Sequence, residues 1–185
     1  MKLILASNSP RRKQLLTEYG FDFSVVGSSF EEQTLNLSPE HTVKVNALGK
    51  ARDVFEKLGQ KDVVILGSDT VVELGGEILG KPQDKAHAKQ MLANLSNKTH
   101  SVWTGVAIVS QEKQTVFTEQ TKVVFNKLSK SLIDEYVGTG KPLDKAGAYG
   151  IQDGFDLVKK FEGSFNNVVG LPIEKFEELL RSFLK

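Results

Sequence analysis

The chain contains no cysteine. That excludes a disulfide framework, a thiolate zinc site and a cysteine nucleophile, and it fits a reducing compartment. No charge sign dominates: 24 Lys and Arg face 23 Asp and Glu, so broad electrostatic adhesion to nucleic acid or an anionic membrane is not expected. No segment approaches the roughly 20 apolar residues of a membrane span. Met1-Lys2-Leu3-Ile4-Leu5-Ala6 superficially resembles a secretory start, but Ser7-Asn8-Ser9 and two arginines end the apolar run too soon for an h-region. There is no internal repeat, no low-complexity linker, no Gly-x-Ser-x-Gly elbow and no paired aromatics of a nucleic-acid platform. His41, His87 and His100 share no metal-ligand spacing, and surface or hydrogen-bonding roles suit all three. These absences predict a soluble, cytoplasmic protein with no nucleic-acid or membrane partner. At 185 residues such a chain buries roughly 70% of its unfolded surface and folds without disulfides or a structural metal.

Short strands and amphipathic helices alternate along it. Leu3-Ile4-Leu5-Ala6 reads as a buried strand. Ser9 suits the N-cap and Pro10 the first position of a helix that carries Leu15, Leu16 and Tyr19 and stops at Gly20. Residues 21–25 alternate as a strand, and residues 27–37 are an irregular polar stretch containing Glu31 and Glu32. Ser38-Pro39 opens a second helix with Val43, Ala47, Leu48, Ala51, Val54, Phe55 and Leu58 on one stripe, ending at Gly59. Val63-Val64-Ile65-Leu66 reads as a strand buried on both faces, with Gly67-Ser68-Asp69-Thr70 as a turn at its carboxyl end. Gly75-Gly76 signals a hairpin, and Asp84 caps a third helix bearing Met91, Leu92 and Leu95. Strands at 100–109 and 115–125 and a helix at 132–137 follow, then a glycine-rich loop at 138–154 that is too long to be idle. A hairpin of 155–161 with 165–169 and a last helix from Pro172, carrying Phe176, Leu179, Leu180 and Phe183, complete the pattern. The class is α/β with a mixed sheet. In open sheets of this class ligands bind beyond the carboxyl ends of the strands.

Arg11, Arg12 and Lys13 crowd a helix start, where the macrodipole and free N–H groups favour anions. The crowding makes sense if a phosphate chain docks there. Neighbours on a helix point about 100° apart, so one arginine clamps ligand while the other braces the structure. Asp69, between Ser68 and Thr70, reads equally as an Asx turn or as a rigid carboxylate able to hold Mg²⁺ or take a proton from water. Either Glu31 or Glu32 could complete a Mg²⁺ site with it, since Mg²⁺ commonly takes only one or two protein carboxylates plus phosphate oxygens and water. Gly75 to Pro82 nearly matches a Walker A loop but fails twice. Pro82 replaces the Mg²⁺-binding hydroxyl, and the segment reads as hairpin and loop, leaving Lys81 as a possible point charge for phosphate.

Five stretches then carry a family resemblance: Leu5-Ala6-Ser7-Asn8-Ser9-Pro10-Arg11-Arg12, Leu66-Gly67-Ser68-Asp69-Thr70, Gly80-Lys81-Pro82, Asp144-Lys145-Ala146-Gly147-Ala148-Tyr149-Gly150-Ile151-Gln152 and Val169-Gly170-Leu171-Pro172. In this order they resemble the Maf family of nucleoside triphosphate pyrophosphatases, related in fold to the inosine triphosphatases, and in particular its dTTP/UTP subgroup. The subgroup preferring 7-methyl-GTP tends to have Trp at Arg11, Gln at Thr70 and a Ser-Phe-Lys-Ser-Glu type run at residues 148–152. The resemblance implies one Maf-like domain over residues 1–185, a twisted mixed sheet flanked by helices with two lobes around a deep central cleft, assembled as a homodimer. It implies Asp69 as the catalytic carboxylate that accepts the proton of the attacking water. Arg12, Thr70, Gln152, Ser7, Lys50 and Lys81 match substrate-binding positions, and Asp69 with Glu32 would hold a divalent cation, Mg²⁺ or Mn²⁺. Lys50 and Gln152 come from the resemblance alone; on residue pattern, Lys50 lies at the margin of a core-facing stripe and passes for a solvated charge. Asn166-Asn167 stand where the family pattern leads one to expect a bulky residue before Val168. A reading from another class is a non-catalytic, nucleotide-responsive regulator of septum formation in cell division.

Overall fold

A computed structural model describes residues 1–33 and 38–184. Residues 34–37, the end of the polar stretch expected at 27–37, lie outside the described residues. In chain order the elements are β1 (Lys2–Leu5), α1 (Pro10–Glu18), β2 (Phe23–Val25), α2 (Pro39–Leu58), β3 (Val63–Leu74), β4 (Glu77–Leu79), α3 (Lys85–Leu95), β5 (Thr99–Val109) and β6 (Gln114–Phe125). After them come α4 (Lys130–Gly138), two 3₁₀ turns (Lys141–Asp144 and Ala146–Ala148), β7 (Val158–Glu162), α5 (Phe165–Val169) and α6 (Ile173–Phe183). Seven strands make a mixed sheet in the order β2-β1-β3-β5-β6-β7, with β4 paired to β3 off this path. The α/β class with a mixed sheet flanked by helices is therefore what the chain forms.

The chain divides into two compact units. The first comprises Met1–Asp69, Thr104–Glu119 and Gly170–Lys185. Within it β1 runs parallel to both β2 and β3, Leu3 lying opposite Phe23 on one side and Val64 on the other. Val63, Val64, Ile65 and Leu66 are buried, as a strand covered on both faces requires. The stripe of α2 reaches the sheet through Ala47, Ala51 and Val54, which pack with Ile4, Ala6, Val63, Ile65, Ala107 and Val109. Two glycines set how close α2 comes. A Cβ on Gly67 would overlap the carbonyl oxygen of Ala47, and one on Gly105 the carbonyl oxygen of Val43. Helix backbone thus lies directly on strand backbone at both points, the use of a strand glycine that close approach demands.

The second unit comprises Thr70–Trp103 and Gln120–Val169. Its core joins α3 and α4 to strand residues: Met91, Leu92, Leu95, Ile133, Tyr136 and Val137 pack with Val72, Val102, Val123 and Phe125. Gly75 and Gly76, both at positive φ, turn β3 into β4, and Asp84 accepts the His87 N–H at the start of α3. In this core His100 presents Nε2 to the Tyr149 hydroxyl at 2.7 Å, its ring edge-on to Phe125 and Tyr149. Burial pushes its pKa down to about 4. The unfolded chain, with an ordinary value of 6.5, takes up the proton first. Stability from this group is intact above pH 6.5 and is lost as pH falls toward 4, amounting to about 3 kcal/mol at pH 4. Urea unfolding of a His100→Gln variant is expected to show a smaller loss between pH 7 and 4 than the parent. An equal loss would remove His100 as the cause.

Three local expectations change. Gly67 to Thr70 is not a turn: β3 runs unbroken to Leu74, because Val71 and Val72 extend the buried run of the strand and Leu74 pairs across the hairpin with Glu77. Residues 165–169 form α5, not the return strand of a hairpin; Ser164 Oγ accepts the Asn167 N–H at 3.1 Å and starts a helical turn. Ser9 holds the N-cap position of α1 without a side-chain cap bond, and its N–H instead donates to Ser7 Oγ at 3.2 Å. The Asn166-Asn167 departure has a role as well: the buried Asn167 amide donates to Val102 O and Thr121 Oγ1.

Candidate active site

Asp69 sits mid-strand and is 5% exposed. Its Oδ1 accepts from Lys50 Nζ at 2.7 Å and its Oδ2 from Asn46 Nδ2 at 3.0 Å. An Asx turn is thereby excluded; the carboxylate is held by side chains one helical turn apart on α2. Lys50, only 8% exposed, also reaches Glu32 Oε1 at 2.7 Å. One buried ammonium therefore bridges two carboxylates. Of the neighbouring pair, Glu32 is the member that meets this cluster.

The loop carrying Glu32 is fastened along α2, on a face separate from the core stripe. Asp53 accepts from the Ser28 hydroxyl, the Ser29 N–H and the Lys57 ammonium. These bonds, the Ser28 hydroxyl foremost, hold the Asp53 carboxyl below the usual carboxylate range. The Phe30 ring occupies the space a Cβ on Gly49 would need. Asn46 takes the Gln33 backbone, accepting its N–H at 2.9 Å and donating to its carbonyl at 3.3 Å. Positions 46, 49, 50, 53 and 57 thus read the loop, while 43, 47, 51 and 54 face the core. The helical period makes both faces from one sequence.

Arg12 is buried on α1. Its Nε donates to the Gly170 carbonyl at 2.8 Å and its Nη1 to Ser7 Oγ at 3.1 Å. The Ser68 hydroxyl donates to the same carbonyl at 3.2 Å, tying the residue before Asp69 to the acceptor that positions Arg12. Burial lowers the pKa of the guanidinium, Asp69 opposes that shift, Arg11 adds to it, and Glu32 opposes it again. Arg12 thus lies within electrostatic reach of both carboxylates. Arg11 is half-buried.

Ser7, Arg12, Glu32, Lys50 and Asp69 therefore come together in the first unit. In the second unit, Thr70 is half-buried and follows Asp69 along β3, while Lys81 and Gln152 are exposed. There the Gly80 carbonyl accepts the Gly147 N–H at 3.0 Å, so two separate motifs adjoin. The turn bearing Gln152 is anchored by buried groups. The Gly150 N–H donates to the Tyr136 hydroxyl, which donates to Asp153, and Lys145 pairs with Asp144 and Asp153.

Residue patterns alone miss Asn46 and, without the resemblance, Lys50. The usable sign was the polar run at 46, 50, 53 and 57, spaced as a second helical face.

Hard oxygen donors from Asp69 and Glu32 suit Mg²⁺ or Mn²⁺, and the ammonium already between them shows that this pocket favours positive charge. Among the described residues no group of three or more His, Cys, Asp or Glu forms a fuller cage. Two carboxylates completed by phosphate oxygens and water is the usual habit of Mg²⁺.

Comparison with known proteins identifies the family. The model of the Maf-like protein family matches residues 2–183. A dTTP/UTP pyrophosphatase of Thermotoga maritima is 51% identical over 174 residues, covering 94% of this chain and 85% of the relative. One from Bacillus pumilus is 48% identical over 184 residues, covering 98% and 96%. The Ham1 protein of Staphylococcus aureus superposes with a TM-score of 0.49 over 69% of this chain and 73% of that one, at 16% identity, a likeness too slight to bear on the site. With a family match along nearly its whole length and a relative sharing half its residues, the chain belongs to the Maf-like proteins.

Proposed function

We propose that this protein is a nucleoside triphosphate pyrophosphatase that hydrolyses dTTP and UTP to the monophosphate and pyrophosphate. The observation that carries the reading is the buried Asp69, with both oxygens fixed by α2, beside Arg12 and Lys50 in a Maf-like chain. In this reading Asp69 accepts the proton of the attacking water. Each of its oxygens keeps a further lone pair for that purpose. Lys50 and Arg12 offset negative charge developing on the phosphates, the electrostatic stabilisation that dominates reactions of this type. Ser7 orients Arg12. Thr70 and Gln152 present hydrogen-bonding groups to the pyrimidine, and Lys81 meets phosphate as a point charge; these three roles rest on the family resemblance.

Asp69 and Glu32 are the residues that would hold Mg²⁺ or Mn²⁺, which when bound supplies charge neutralisation at the phosphates. Excess chelator is expected to abolish turnover and added Mg²⁺ to restore it; turnover unaffected by chelator would exclude the metal. The enzyme is proposed to work in the cytoplasm as a homodimer. No helix among the described residues is long and apolar enough to cross a membrane.

A panel of triphosphates tests the substrate class. With Mg²⁺ present, kcat/KM for dTTP and UTP is expected to exceed that for GTP, ATP and CTP by at least roughly tenfold, the discrimination a site gains by pairing with particular polar edges. A purine preference would overturn the subgroup, and no turnover on any triphosphate would overturn the activity.

A further inference from the structure

The mechanism above gives the buried amide of Asn46 no step of its own, yet the amide touches two of its parts. It is 3% exposed, and a buried amide costs free energy unless its donors and acceptor are matched. Here all are matched. The oxygen takes the Gln33 N–H, and the two N–H donors go to the Gln33 carbonyl and to Asp69 Oδ2. The orientation is dictated, because only the amide oxygen can accept from a backbone N–H, which leaves the NH₂ facing two acceptors. Gln33 directly follows Glu32, the residue paired with Lys50. One side chain therefore joins the Glu32 loop to the carboxylate at position 69. Lys50, one turn further along α2, grips the same two partners through charge.

We propose that Asn46 is a positioning residue for Asp69, fixing the rotation of its carboxylate and the register of the Glu32 loop at once. The role rests on the pyrophosphatase reading. An apolar residue at 46 would leave Asp69 Oδ2 and the Gln33 peptide without these partners, so the carboxylate could rotate about its remaining contact with Lys50. An aspartate at 46 divides the two functions. It can still accept the Gln33 N–H, but it can donate neither to the Gln33 carbonyl nor to Asp69, and it places a like charge beside the latter.

The test compares Asn46→Leu and Asn46→Asp with the wild type in steady-state turnover of dTTP with Mg²⁺, alongside thermal melting and hydrogen exchange of the Gln33 amide. Both variants are expected to lose roughly 10- to 100-fold in kcat, the usual cost of removing a group that orients a reacting one, with KM within about threefold of wild type. Exchange at Gln33 is expected to quicken in Asn46→Leu and stay slow in Asn46→Asp. Should Asn46→Leu fail to fold, the near-isosteric Asn46→Asp decides alone. Wild-type kcat in a folded Asn46→Asp overturns the proposal, as does a change confined to KM. Absence of turnover by the wild type on any triphosphate overturns the pyrophosphatase reading instead, and this role with it.

Discussion

Asp69→Asn is expected to lower kcat on dTTP by roughly 10²- to 10⁴-fold, the range of a general base. The substitution keeps shape and removes charge. It also breaks the donor–acceptor match: Lys50 Nζ and Asn46 Nδ2 both donate to this side chain, and an amide offers only one oxygen between them. One donor then faces an NH₂ group. Lys50 retains Glu32 as a partner, so the fold survives and the loss falls on turnover. Melting temperature and kcat measured on the same preparation separate the two effects. A kcat within a few-fold of wild type, in a folded protein, would remove Asp69 as the proton acceptor.

Gly67→Ala is expected to have the largest effect on stability. Its Cβ would meet the Ala47 carbonyl oxygen and press on the Ala51 backbone nitrogen and methyl group. Helix backbone cannot yield as a flexible side chain can, so α2 must lift from β3. Overpacking of this kind costs about 3 kcal/mol or more, which for a chain of this size lowers Tm by roughly 10 °C. Function should suffer below the melting temperature too, because α2 carries Asn46 and Lys50 to Asp69. A wild-type Tm in the Gly67→Ala variant would show that the close approach at this glycine is not needed. Gly80→Ala is the control: nothing lies within 4 Å of the position a Cβ would take there.

Much of the fold was legible because local chemistry and tertiary structure agree. Ser38-Pro39 and Gly59 bound α2 where capping preferences place them, and Gly75-Gly76 makes the hairpin that positive φ allows. Misreadings arose where one residue type serves two uses. Gly67 looks like the start of a turn, whereas its missing side chain makes room for a helix backbone in the middle of a strand. Ser164 and Phe165 look like part of a hairpin, but a serine able to accept the N–H three residues on favours a helical turn. In the candidate site, Asp69 and Arg12 stand out by residue type and place. Lys50 and Asn46 do not, since a lysine or asparagine beside an apolar stripe is ordinarily solvated. Their burial depends on the loop at 28–33 crossing α2, and the polar run at 46, 50, 53 and 57 marks a second helical face without identifying the distant segment that covers it.

The proposed reaction is cleavage of the α–β phosphoanhydride of a pyrimidine triphosphate. It is tested most directly by incubating the protein with dTTP and Mg²⁺ and quantifying the phosphorus-containing products. Equal amounts of dTMP and pyrophosphate are the predicted result. Orthophosphate with dTDP, or no product at all, would contradict it.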